Sequence, residues 1–301
     1  MTDVFIIGKG PAGISAALYT IRAGFSTTVT GKDMGALGKA DRIDNYYGFA
    51  EGITAGELFE NGIKGAERLG VTVLSEEVLD IGFADGSFKI TTDRGLHEAR
   101  ALILASGASR KVPPVKGLKE LEGRGVSYCA VCDGFFFRQK DVCVIGNGRY
   151  AVSEALHLTP TSAKVTVLTG GRELEADAKE LLEEAVKNGT ENLFVENAKV
   201  SEVTGDPMVE RVILEDGRSI EASGVFVAEG TASATDLARK LGAAGPDGKL
   251  MLNEDMSTFV PGFFAAGDCT GGLLQVAKAV ADGAIAGTAA GKYLRSIGKK
   301  A

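Results

Sequence analysis

What this 301-residue chain lacks already narrows what it does. No run of about eighteen apolar residues occurs, so no membrane span is expected. No cationic excess is present either. The 33 Lys and Arg stand against 40 Asp and Glu, and the resulting charge of −7 argues against nucleic acid as a main partner. The start carries no basic stretch ahead of its first apolar residues, so it does not read as a signal peptide. Histidines number only two, His97 and His157, and the four cysteines include only one close pair. A structural zinc site wants a second pair of ligands, so no metal site is expected. Cysteines this sparse suit a reducing cytoplasm better than a disulfide-stapled secreted domain. Proline is scarce at 7 while glycine reaches 41, which suits a backbone that approaches bulky cofactors closely. With 45% hydrophobic and 24% charged residues, the chain is globular and long enough for two domains.

The stretch around which the rest is organised is Cys129-Ala130-Val131-Cys132-Asp133-Gly134. Two cysteines at this spacing close a small disulfide ring, and C-x-x-C is a setting in which thiol exchange becomes easy. Asp133 follows at once and is able to carry the proton that dithiol chemistry must move. Zinc knuckles and structural bridges share the spacing, and the missing second ligand pair favours redox use.

Upstream, residues 4–7 (VFII) read as a buried parallel strand. They run into Gly8-Lys9-Gly10-Pro11-Ala12-Gly13 and then a helix from Ile14 to Ile21. Strand, G-x-G-x-x-G, helix is the dinucleotide fingerprint in context. Gly8 serves the turn, Gly10 the pyrophosphate approach and Gly13 the helix–strand packing. A second strand at 27–30 ends in Thr30-Gly31 without the acid that often holds an adenosine ribose. A loop with Leu37 and Asn45 follows, then a helix at 56–69. Strands are expected at 71–74, 78–81 (starting at Val78), 88–92, 97–100 and 101–105, the last closed by Ser106-Gly107. His97 reads as a surface residue of a polar strand. The Pro113-Pro114 stretch reads as a crossing between domains, and 242–248 as the return.

A second strand–glycine turn–helix, 141–145 into Gly146-Asn147-Gly148-Arg149-Tyr150-Ala151, repeats the first motif. The expected architecture is therefore α/β, with two Rossmann-like, three-layer nucleotide-binding domains, the second inserted into the first. Cys143 lies within a strand and reads as core. Near the C-terminus, 258–266 leads into Gly267-Asp268, an acid suited to sugar or ribityl hydroxyls. Residues 275–287 form a helix of small residues whose N-terminus offers N–H groups to a ligand.

Together these stretches resemble the low-molecular-weight thioredoxin reductases along essentially the whole chain. The resemblance rests on residues 8–13, 44–46, 105–107, 129–137 and 261–268. It implies a homodimer with FAD in a discontinuous domain at 1–113 and 246–301, and a domain at 114–245 that carries the cysteines and rotates between two poses. FAD would lie along Gly8, Gly10, Pro11, Ala12, Gly13, Gly31, Leu37 and Asn45. It would also meet Val78, Ala105, Ser106, Gly107, Gly267, Asp268, Gln275 and Val276. Cys132 would take electrons from the flavin, Cys129 would be the outer thiol that attacks thioredoxin, and Asp133 would be the acid–base group.

The departures concern the electron donor. NADPH-dependent members carry His-Arg-Arg after the strand that matches Leu168, with a further Arg beyond. Here Thr169, Gly170, Gly171 and Glu175 stand in those places, and Arg172 is flanked by Glu173. Arg149-Tyr150 replaces small polar residues in the second glycine turn, and Leu274 replaces an Arg before the flavin-contacting Gln. This pattern is similar to the atypical branch that draws electrons from ferredoxin or another non-nicotinamide donor. The alternatives are an NADPH enzyme with an altered site, an FAD-dependent dithiol oxidase and a flavin-binding redox sensor.

Overall fold

The computed structural model describes residues 1–107, 112–230, 233–245 and 249–298. The chain divides into two compact units. One is Met1–Ser109 with Ser233–Ala301, the other Arg110–Ala232.

The first unit starts with β1 (Thr2–Ile7) and α1 (Pro11–Arg22), joined by the glycine turn. Pro11 opens α1, where its fixed φ suits the first helical turn. β2 (Thr27–Thr30) lies parallel to β1. The short β3 (Arg42–Ile43) and β4 (Ile53–Thr54) pair antiparallel, and α2 (Ala55–Arg68) begins with a Thr54–Glu57 capping box. β5 (Thr72–Leu74) adds to β2, and β6 (Val78–Ala84), β7 (Ser87–Thr92) and β8 (Leu96–Leu104) form an antiparallel meander.

The two strands expected at 97–100 and 101–105 are one. The start of β8 pairs with β7 and its continuation with β1, so a single strand serves both halves of the sheet. His97 is not a free surface residue. Its ring is half-buried, 5.2 Å from the Phe5 ring centroid and 2.8 Å from the Glu76 carboxylate. It lies in β8, which crosses beside β1.

The second unit holds β9 (Val126–Ser127), α3 (Ala130–Asp133), β10 (Asp141–Ile145), α4 (Arg149–Leu158), β11 (Lys164–Leu168), α5 (Ala176–Lys187) and β12 (Leu193–Glu196). An antiparallel trio, β13 (Val200–Thr204), β14 (Arg211–Leu214) and β15 (Ser219–Glu221), precedes β16 (Gly224–Val227). The parallel sheet runs β12-β11-β10-β16-β9. Its apolar core includes Cys143, Ile145, Leu168, Val225 and Val227.

The chain then re-enters the first unit through α6 (Ala234–Lys240), β17 (Phe263–Ala265) and α7 (Val276–Gly298). The return falls at 232/233, ahead of the expected 242–248, part of which lies outside the described residues. The reason is α6, which packs with β6 while the Lys240 ammonium sits 2.9 Å from the Asp80 carboxylate. β17 pairs with the end of β8, giving a seven-stranded sheet with the path β5-β2-β1-β8-β7-β6. The small residues of α7 bring it hard against α1. A Cβ on Gly283 would fall 2.1 Å from the Ala12 carbonyl oxygen, and one on Gly287 2.6 Å from that of Ala16. Among the described residues no helix is long and apolar enough to cross a membrane.

Candidate functional site

In the first unit, β1, β8 and β17 run parallel side by side, so Gly8, Ala105 and Gly267 emerge at one edge of the sheet. Ligands of open α/β sheets sit at this carboxyl edge. Gly8 has φ 110°, and a Cβ there would lie 2.1 Å from the Ala105 carbonyl oxygen. A Cβ on Gly13 would lie 1.7 Å from the Gly8 carbonyl oxygen, so both positions admit glycine alone. Gly10 differs, because a Cβ there would meet nothing within 4 Å. Gly10 caps α1, and no side chain caps that terminus. An open space thus faces the N-terminal end of a helix, which fits a pyrophosphate.

Around this cradle, Gly31 lies against Lys9, and Val78 is buried at the start of β6. Ser106 and Gly107 follow β8, Gly107 with φ 78°. Gly267 (φ 84°) donates its N–H to Asp282 Oδ2 at 3.1 Å. Lys278 Nζ reaches the same carboxylate at 2.7 Å, the Gly267 carbonyl at 3.0 Å and Thr270 Oγ1 at 2.5 Å, so the turn that presents Asp268 is fastened from behind. Asn45 Nδ2 donates to Gln275 Oε1 at 3.0 Å. Leu37 and Val276 pack in one cluster with Tyr46. The structure therefore brings the residues expected for one cofactor to one unit.

In the second unit, Cys129 and Cys132 form a disulfide with their Cα atoms 5.3 Å apart. Cys129 caps α3, and its Sγ accepts the Cys132 N–H at 3.2 Å. Ser127 Oγ accepts the Cys129 N–H at 3.2 Å and donates to Asp133 Oδ2 at 2.6 Å. Glu154 accepts the Ala130 N–H at 2.7 Å and is only 1% exposed. Neither Ser127 nor Glu154 was singled out in the sequence. A signal existed for Glu154, which shares the buried face of α4 with Ala151, Ala155 and Leu158. Cys129, expected as the outer thiol, has no exposed surface in the oxidised pair, whereas Cys132 is exposed. Burial pushes the thiols of Cys143 and Cys269 up to about 12, which sets both apart from the redox pair. No group of three or more metal-binding side chains occurs among the described residues.

The second glycine turn is present but differently furnished. Thr169 is buried and donates to Asn197 Oδ1 at 2.9 Å. Arg172 pairs with Glu229 at 2.6 Å. Tyr150 is almost fully buried at the start of α4.

Pyridine nucleotide-disulphide oxidoreductases match this chain over residues 2–283. The chain belongs to that family. Its members are FAD-dependent flavoproteins, and the Cys129–Cys132 disulfide supplies the second half of the family's chemistry. Thioredoxin reductases are close relatives within it. That of Treponema pallidum is 38% identical over 98% of each chain, and that of Listeria monocytogenes 35% identical over 98% of this chain and 94% of its own. Among solved structures, an atypical thioredoxin reductase from Desulfovibrio vulgaris Hildenborough superposes with a TM-score of 0.91 at 41% identity, covering 98% of this chain and 99% of that one. A ferredoxin-flavin thioredoxin reductase from Clostridium acetobutylicum superposes at 0.69 with 31% identity, covering 98% of both chains. This family member is therefore an FAD-dependent disulfide reductase.

Proposed function

We propose that the chain reduces the disulfide of a thioredoxin and takes its electrons from a donor other than NADPH, of the class of ferredoxin or another non-nicotinamide reductant. The observation that carries the donor reading is the Arg172–Glu229 pair. The only cation in residues 169–175 is already engaged by a carboxylate, so that stretch offers no arginine fork to meet a 2′-phosphate.

FAD would be held by the cradle of the first unit. Gly8, Gly10, Pro11, Ala12 and Gly13 would receive the pyrophosphate at the open N-terminus of α1, and Gly31, Leu37 and Val78 would line the rest of the cradle. Asp268 would accept from the ribityl chain, while Ala105, Ser106, Gly107 and Gly267 would give the backbone room to approach. Asn45, Gln275 and Val276 would orient the ring. Bound FAD supplies the two electrons that open the disulfide.

The chain's own groups do the rest. Electrons enter at the exposed Cys132. The sulfur released at Cys129 is already an acceptor of the Cys132 N–H, which stabilises a thiolate there. Cys129 then attacks the disulfide of thioredoxin, and Cys132 resolves the mixed disulfide, so that one disulfide is reduced and the Cys129–Cys132 bond returns. Because Cys129 is enclosed in the oxidised pair, its attack follows a rearrangement that uncovers it. Asp133, set by the Ser127 hydroxyl, delivers the proton to the departing thiolate. The rotating insert, the homodimer and a reducing cytoplasmic setting belong to the same reading.

Anaerobic assays that pair reduced ferredoxin, NADPH and NADH with an oxidised thioredoxin test it. Thioredoxin thiols should appear with ferredoxin and not with either nucleotide. Thiol formation at comparable rate with NADPH would overturn the donor assignment.

A further inference from the structure

If the donor is not a nicotinamide, as proposed above, the second glycine turn has no dinucleotide to hold. α5 starts at Ala176 with Glu175 in the capping position, yet Glu175 makes no side-chain bond to α5. Its carboxylate lies instead across Gly148. A Cβ on Gly148 would meet Glu175 Oε2 at 3.1 Å and Cδ at 3.5 Å. Gly148 is the capping residue of α4, whose N-terminus has no side-chain cap of its own.

The backbone that carries Glu175 is held beside the turn. The Glu175 N–H donates to the Asn147 carbonyl at 2.9 Å, and Asn147 Nδ2 donates to the Glu173 carbonyl at 3.0 Å. Asn147 is buried, so residues 173–175 and the turn 146–148 fix one another. In a strand–glycine turn–helix unit, a dinucleotide's pyrophosphate approaches this same place, drawn by N–H groups and the positive end of the helix. A carboxylate is drawn by the same field.

We propose that Glu175 is a built-in anion that occupies the phosphate position of the second glycine turn and makes the chain reject dinucleotides as a class. The absence of 2′-phosphate ligands acts against NADPH alone. A carboxylate over Gly148 acts against the diphosphate that NADPH, NADH and ADP-ribose share. Two nearby cations have partners of their own: Arg172 is held by Glu229, and Arg149, next to Gly148, donates to the Asp177 carbonyl at 3.1 Å. Glu175 is thus a specificity-determining residue that touches neither the redox cysteines nor the FAD cradle.

Calorimetric titration of the FAD-loaded protein with ADP-ribose and with NADH, which both lack a 2′-phosphate, tests this. The unaltered protein should show no binding up to about 1 mM. Glu175→Ala, which removes charge and bulk, and Glu175→Gln, which removes charge alone, should each tighten ADP-ribose binding roughly tenfold or more, because a like-charge clash is relieved. Thermal melting establishes that the variants are folded. Variants that bind no more tightly than the parent would overturn the proposal, as would a parent that binds ADP-ribose at about 0.1 mM or below. Reduction of a thioredoxin disulfide by chemically pre-reduced protein should be unchanged in both variants. Failure of that reduction in the parent would sink the functional reading instead and leave the Glu175 result standing.

Discussion

The Arg172 guanidinium donates to the Glu229 carboxylate at 2.6 Å and to the Thr169 carbonyl at 3.2 Å. A side chain placed where nucleotide selectivity is usually decided is thereby engaged by a carboxylate, although it remains half exposed. Each charge-assisted hydrogen bond missing from a 2′-phosphate costs about 1.5–3 kcal/mol. Losing several weakens binding by several powers of ten. On that ground NADPH at about 1 mM should not bleach the flavin within seconds in anaerobic stopped-flow mixing, and the Glu175 carboxylate over Gly148 extends the expectation to NADH, while a strong chemical reductant should reduce flavin and disulfide alike. Rapid bleaching by micromolar NADPH would contradict the role given to the Arg172–Glu229 pair.

The two cysteines should fail in different ways. Cys132→Ser removes the sulfur at which electrons enter and should abolish thioredoxin reduction. Cys129→Ser leaves Cys132 as a free thiol and should give a long-wavelength absorption band from a thiolate beside the oxidised flavin. Spectra of both variants decide the matter. A band in Cys132→Ser and none in Cys129→Ser would reverse the assigned roles.

The glycines of the first turn should separate folding from cofactor binding. A Cβ at Gly13 collides with the Gly8 carbonyl, so Gly13→Ala should lower the melting temperature and lose FAD together. At Gly10 a Cβ meets no protein atom and φ is −74°, so Gly10→Ala should fold normally yet hold less FAD. Flavin absorbance per chain and thermal melting read the two effects. Full FAD occupancy in Gly10→Ala would show that the cofactor does not use that space.

Thiol labelling offers a further check. Thiol groups near 12 leave only about one part in ten thousand as thiolate at pH 8. Native oxidised protein should therefore react slowly with alkylating reagents at pH 8. Gentle reduction should make two groups per chain reactive, Cys129 and Cys132. Prompt labelling of Cys143 in folded protein would mean that β10 opens far more readily than its burial implies.

What the sequence determined by itself was whatever depends on neighbours along the chain. Gly8, Gly10 and Gly13 are legible because turn, helix start and phosphate approach all fall within six residues, and the Cys129–Cys132 ring closes within four. Strand–glycine–helix repeats are local as well, so two nucleotide-type units followed directly. The tertiary structure decided what distant segments do to one another. It made β8 a single strand, since only the neighbours β7 and β1 reveal that one strand serves two partners. It returned the chain at α6, since the anchoring partner Asp80 lies far upstream. Asn45 met Gln275, Arg172 met Glu229, and Glu175 closed over Gly148. A glycine's steric need is written in its own backbone. The partner of a charged or amide side chain is set by which elements pack together, and no local pattern carries that.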